Sequence, residues 1–237
     1  MNRPTSTRFL QYGFTLFLTV SPATAGIVVL SGSGFVWTDD DDGGDFEEIP
    51  WTQVGTTGLS AQWRELDARA WMEFSADNNS VSVSFSGSHS VRRTAQATGT
   101  SMDSGIGVGF WIISDVDVIV SATGTMNYSL HGEKEPTATM FFFVENNDVG
   151  LIHQGSVYST YDPPDGAIYL ADSVVLDGGI PYSIVAASEL GQLAIGFSEM
   201  PSVATSELTL KIQAIPEPAT LVLLGIACGI VMRRESA

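Results

Sequence analysis

Histidine, carboxylate and hydroxyl side chains are the groups from which a hydrolytic site could be built. The chain has three histidines, His89, His131 and His153, among many serines and aspartates. A Ser-His-Asp set needs only closeness in space, so sequence leaves it open. No Gly-x-Ser-x-Gly elbow positions a nucleophile, and no His-Glu-x-x-His pair positions a metal. Each histidine is therefore read as a surface or loop residue. Asp115 and Asp117 stand two residues apart, and paired carboxylates can hydrolyse glycosides at separations of about 5–9 Å. Val116, Val118 and Val120 alternate with them, which turns the valines inward and both aspartates to solvent. Gly105, Gly107 and Gly109 alternate without the spacing or the following helix of a dinucleotide loop. They read as a glycine-rich entry to a strand.

Two groups of residues could bind rather than react. Asp39 to Asp42, Asp45, Glu47 and Glu48 place seven carboxylates within ten residues. A calcium loop is the sharp reading, but Gly43 falls where a ligand should be and no glutamate closes a twelve-residue loop. A solvated, mobile acidic loop is the expectation. Trp37 and Trp51 flank it, and Trp111 lies further on. Exposed tryptophans of this kind could stack on sugar rings, although tryptophan is more often a packing residue.

The elements that must hold these residues are strands. Val81, Val83 and Phe85 alternate with Ser82, Ser84 and Ser86, giving an apolar face and a serine face. Phe110–Ile113 and Met140–Val144 are solid apolar runs, and Leu208, Leu210, Ile212 and Ala214 alternate again. Ile27–Leu30 reads as a short first strand. Leu59–Phe74 fits both helical and strand spacing, with strand favoured after Asp67. Asn146-Asn147-Asp148 is turn chemistry, and Pro163–Gly166 a loop. Val174–Leu176, Asp177-Gly178-Gly179 and Tyr182–Ala187 read as a hairpin. Eight to twelve short strands with no long helix predict an all-β fold, an antiparallel β-sandwich or jelly roll. No repeat of fixed period points to a solenoid or propeller.

Composition limits the partners. The net charge is −17 and the charged fraction 16%. Between residues 26 and 215 six basic residues face 25 acidic ones. Such a field repels phosphate backbones, so nucleic acid is excluded as a partner. The single cysteine, Cys228, allows no internal disulfide, and stability must come from packing.

Both chain ends read as signals. Ala219–Met232 is uncharged and apolar on every side. Pro216 and Pro218 suit its entrance, and Arg233 and Arg234 its cytoplasmic end. As a helix its fourteen residues span about 21 Å, short of the roughly 30 Å hydrocarbon layer, so it is a marginal single transmembrane anchor. Pro216-Glu217-Pro218, the apolar segment and Arg233-Arg234 together resemble the PEP-CTERM sorting signal of bacterial exported proteins. The resemblance covers about twenty residues. It implies recognition by a membrane-embedded exosortase, processing near the triplet and delivery to the cell surface or exopolysaccharide matrix. It also implies a layout of variable β domain, late Gly-x-x-Tyr hairpin (Gly179 to Tyr182), last strand and signal.

The N-terminus is an independent check on export. Arg3 and Arg8 precede the mostly apolar Phe9–Val20, and Ala23 and Ala25 form a small-residue cleavage site before Gly26. The expected organisation is a signal peptide at 1–25, a secreted β-sandwich at 26–215 and a sorting signal at 216–237. The expected function is a non-catalytic surface or matrix protein associated with exopolysaccharide. It passes transiently through the inner membrane, has the exosortase as partner and needs no cofactor or metal. A carbohydrate-binding module for exopolysaccharide is the alternative, and a secreted hydrolase with an unrecognised site a further one.

Overall fold

The alternation seen in sequence runs through nearly every segment of the structure, a computed structural model. It describes residues 26–40, 43–51, 57–64, 66–77, 79–92, 101–131, 136–159, 164–193 and 200–215. The strands are β1 (Ile27–Asp40), β2 (Gly43–Pro50), β3 (Thr57–Trp63), β4 (Leu66–Ala76), β5 (Ser80–Val91) and β6 (Ser101–Ser114). They continue with β7 (Val118–Ser129), β8 (Pro136–Asn146), β9 (Gly150–Ser159), β10 (Asp165–Leu176), β11 (Pro181–Leu193) and β12 (Ser202–Ala214). Ala23 and Ala25 of the cleavage site, and Pro216, Glu217, Pro218, Arg233 and Arg234 of the sorting signal, lie outside the described residues. Among the described residues no helix is long and apolar enough to cross a membrane.

Two six-stranded antiparallel sheets form the sandwich. One has the order β2-β1-β6-β11-β8-β9 and the other β10-β7-β12-β5-β4-β3. We call them the first and second sheets. Within them β5 pairs with β12, β6 with β11, β7 with β10 and β8 with β9. That nesting, four strands out and four back, is a jelly roll. The strands β1 to β4 widen it, β1 pairing with β6 and β4 with β5.

Phe110, Phe142, Ile106 and Ile184 from the first sheet meet Phe85, Leu208, Leu210 and Met126 from the second in one core. Each such burial contributes roughly 1.5–3 kcal/mol. At the middle the sheets come close. A Cβ on Gly87 of β5 would lie 2.4 Å from Ile106 Cδ1, and one on Gly124 of β7 2.5 Å from Met140 Cε. Buried Ser188 and Ser206 share a hydrogen bond of 2.8 Å between β11 and β12.

Several sequence expectations are corrected. Most of the acidic run is strand: Asp39 and Asp40 end β1 and Gly43 to Glu48 lie in β2, while Asp41 and Asp42 lie outside the described residues. Asp40 is buried and pairs with Arg64 at 2.9 Å. Asp45 accepts the Gln62 amide at 2.9 Å and Glu47 the Ser60 amide at 2.5 Å. These carboxylates cap the outward amides of edge strand β3, which would otherwise recruit another chain. The stretch from Leu59 is strand before Asp67 as well as after it. Leu59 and Ala61 point to the core, and the helical spacing was coincidental. Ile27–Leu30 opens a strand of fourteen residues rather than a short one. Asp165 and Gly166 already belong to β10.

The expected hairpin through Gly179 is a corner between sheets. Strand β10 pairs with β7 and β11 with β6 and β8. Asp115 and Asp117 lie in the turn after β6, not on a strand face, where each accepts a backbone amide: Gly26 at 2.8 Å and Gly178 at 3.0 Å.

His89 is the clearest misreading, being buried between the sheets. Its Nδ1–H donates to the Ser104 carbonyl at 2.9 Å. Burial outweighs that bond and drops the imidazole pKa to about 4, from 6.5. An unfolded chain therefore takes up a proton below pH 6.5 that the folded chain refuses until about 4. Stability should fall as pH drops through that window, by up to about 3 kcal/mol from this residue. Glu189 on β11, desolvated up to about 7, tilts stability the other way between 4.5 and 7. The informative comparison is thus wild type against His89→Gln by urea unfolding at pH 7, 5.5 and 4.5. The variant should show the shallower acid loss, and parallel profiles would contradict the assignment.

Candidate functional site

The outer faces of the two sheets differ, and the difference locates the site. On the first sheet, Trp37 and Phe35 of β1 lie over the β6 glycines. A Cβ on Gly105 would meet Trp37 at 2.2 Å, and one on Gly107 would meet Phe35 at 2.6 Å. The alternating glycines are therefore a bed for two aromatic rings. Both rings are buried, and they pack with Ala187, Phe141 and Val185. Trp37 is not a free platform. Trp51 is half-buried against Phe74, with ring centroids 5.3 Å apart, and Trp111 is half-buried too. The three tryptophans that sequence suggested for sugar stacking do not form one exposed surface.

The second sheet keeps its outer face open. Its strands register so that one row runs across them: Trp71 of β4, Ser86 of β5, Glu207 of β12, Thr125 of β7 and Tyr169 of β10. The next row holds Glu73, Ser84, Thr209 and Thr123. These side chains line an open groove of about 620 Å³. Between the two rows β4, β5, β12 and β7 turn Met72, Phe85, Leu208 and Gly124 inward, in register. The outward Ser84, Ser86, Thr123 and Thr125 are short, and the taller Trp71 and Tyr169 flank them, which leaves an indentation outside.

The groove has an aromatic residue at each end of one row. Trp71 is 62% exposed and Tyr169 68%. Three atoms of the Trp71 ring lie 3.2 to 3.5 Å from where a Cβ of Gly58 would be. One ring face is thus laid on β3 while the other is left to solvent. Between the two aromatics the floor is hydroxyls and two carboxylates. Side chains stand roughly perpendicular to a sheet, so these groups present donors and acceptors outward. Such a surface stacks on an apolar ring face and hydrogen-bonds the polar rim around it.

The histidines do not join it. His153 Nε2 pairs with Asp172 at 2.9 Å, and its ring packs on buried Phe142 with centroids 5.5 Å apart. That pair closes the seam between β9 and β10, and toward the other end of β9 Ser159 bonds Tyr128 of β7 at 2.5 Å. His131 bonds Ser129 at 3.1 Å and Ser202 through its backbone. Among the described residues no group of three or more His, Cys, Asp or Glu could hold a metal ion. Sequence reasoning missed Trp71 and Tyr169. A signal existed for Trp71, which falls between the inward Ala70 and Met72.

No family model matches the chain, and no curated protein matches it. Solved structures show loose similarity. A domain of tailspike protein 4 from bacteriophage CBA120, described as enzymatically active, is 8% identical over 62% of this chain and 19% of its own, with a TM-score of 0.26. Infectious bursal disease virus, Gx strain, is 11% identical over 84% and 55%, at 0.28. An isomalto-dextranase from Arthrobacter globiformis T6 is 13% identical over 78% and 32%, at 0.23. The chain spans little more than half of the viral protein and far less of the other two. At these scores the similarities lend no argument about function.

Proposed function

We propose that this chain is an exported, non-catalytic β-sandwich that binds a polysaccharide on the outer face of its second sheet. We propose too that its C-terminal signal sorts it to the cell surface or exopolysaccharide matrix. The observation that carries the binding is the row from Trp71 to Tyr169, two exposed aromatics bracketing a floor of hydroxyls and carboxylates. Sugar rings offer the matching chemistry: an apolar C–H face for the ring and hydroxyls for the floor.

A catalytic role is less favoured. Glu73 and Glu207 stand two strands apart and two residues out of register, so their Cα atoms are about 12 Å apart by sheet spacing. Glycosidase carboxyl groups stand about 5–9.5 Å apart, a separation these two outward side chains would reach only by leaning toward one another. The sorting part rests on the terminal motifs, with one supporting feature of the fold. Gly26 and Ile215, the first and last described residues, are both bonded to the β6–β7 turn, through Asp115 and the Asp117 carbonyl. Two tails leaving one corner can engage one membrane together.

Affinity electrophoresis of the 26–215 domain through gels holding different polysaccharides tests the binding. Trp71→Ala and Tyr169→Ala should each weaken retention about tenfold while leaving the unfolding midpoint nearly unchanged, because both side chains are exposed. Equal migration of wild type and variants in every gel removes the reading. For sorting, alanines at Pro216, Glu217 and Pro218 should leave export intact and hold the protein in the inner membrane fraction. Equal release of variant and wild type argues against it.

A further inference from the structure

The direction and charge of the groove narrow its ligand. We infer, resting on the glycan-binding reading above, that it takes a neutral, extended polysaccharide whose chain runs across the strands from Trp71 to Tyr169. Both aromatics occupy one cross-strand row rather than one strand. Four inter-strand spacings separate them, or about 19 Å. A single ring cannot touch both, whereas a chain of several linked rings can. Glu207 sits between them and Glu73 one row away, and among the described residues the groove lining holds no Lys or Arg. Each carboxylate is an acceptor suited to the paired hydroxyls of a neutral sugar. A uronic-acid or sulfated chain would bring its charges against both glutamates and a chain already at −17. Arg69 on the same face is paired with Asp67 at 3.1 Å, and Lys211 lies two rows from Glu207 with Thr209 between them.

Titration calorimetry with the 26–215 domain separates the possibilities. Neutral glucan oligosaccharides of two to eight units are the length series, and alginate is the anionic probe. Affinity for the neutral series should climb with length and level off once the ligand spans the row. Alginate should not bind wild type, and the double variant Glu73→Gln, Glu207→Gln should gain measurable binding to it. Alginate bound as tightly as the neutral chain, or a disaccharide bound as tightly as an octasaccharide, overturns this inference and leaves glycan binding standing. No binding of any chain to wild type removes both.

A second inference comes from the opposite corner and does not depend on the groove. The Gly26 amide donates to Asp115 Oδ1 at 2.8 Å, and Gly26 is buried at the head of β1. Ile27, next to it, enters the core opposite Ser114. If the signal peptide is cut after Ala25, water hydrolyses the Ala25–Gly26 bond, leaving a carboxylate on the released peptide and an ammonium on Gly26. The structure assigns Asp115 as the partner of that ammonium, so processing converts an amide–carboxylate hydrogen bond into an ion pair. The same turn is held by Asp117 to Gly178 at 3.0 Å and by the Ser114 carbonyl to Gly179 at 2.6 Å, so the carboxylate is positioned beforehand.

Thermal unfolding of two forms tests it, one beginning at Gly26 and one carrying two extra residues ahead of Gly26. Asp115→Asn should lower Tm by about 2–4 °C more in the Gly26 form than in the extended form. Equal lowering in both forms, or none, overturns the inference. Intact mass of the secreted protein reports separately where the signal peptide is cut. A terminus other than Gly26 removes the processing premise instead.

Discussion

Close approach of the two sheets at the centre is the constraint on which the rest of the molecule depends. It is set by the absence of side-chain volume. Gly87 and Gly124 leave no room for a methyl group against Ile106 and Met140, and Ser188 reaches Ser206 across the gap. Larger residues at these positions would force the sheets apart and open voids beside Phe110 and Phe142, and interiors do not tolerate voids cheaply. The same strands carry short hydroxyl side chains, Ser84, Ser86, Thr123 and Thr125, along the groove outside.

Acidic residues are used structurally more than the net charge suggests. A sandwich has four edges, and each is a row of unpaired amides and carbonyls. Here the edges are brought together in pairs and bridged. Glu47 and Asp45 hold β2 to β3, and His153 with Asp172 holds β9 to β10. Asp40 is buried against Arg64, whose guanidinium also lies 5.5 Å from the Trp63 ring centre. A carboxylate accepts an amide proton without needing one in return, which suits it to capping an edge. Asp45 and Glu47, from a run that looks like a loose calcium loop on paper, fasten one seam.

The two outer faces then take opposite fates for steric reasons. A β6 with no side chains at Gly105 and Gly107 offers the first sheet a trough, and Trp37 and Phe35 fill it. The second sheet has serines and threonines in the equivalent outward positions, too small to cover one another. Its aromatics stand only near the margins, on β4 and β10. On one face two rings fill a glycine trough, and on the other a polar floor lies between two rings.

Much of this architecture was legible in the chain itself, because a period of two is written residue by residue. Val81, Val83 and Phe85 against Ser82, Ser84 and Ser86 tell inside from outside without any partner. So do Leu208, Leu210 and Ile212. What alternation cannot carry is which strand lies beside which. His89 shares the inward phase of Phe85 but was read as a surface residue, because only the opposing sheet closes over it. Strands β10 and β11 were read as a hairpin because adjacency in sequence resembles adjacency in space. Trp71 and Tyr169 are 98 residues apart, and three strands must be laid between theirs before they share a row. Local pattern decides the phase of each strand; register across a sheet is a long-range property, and only the folded chain creates it.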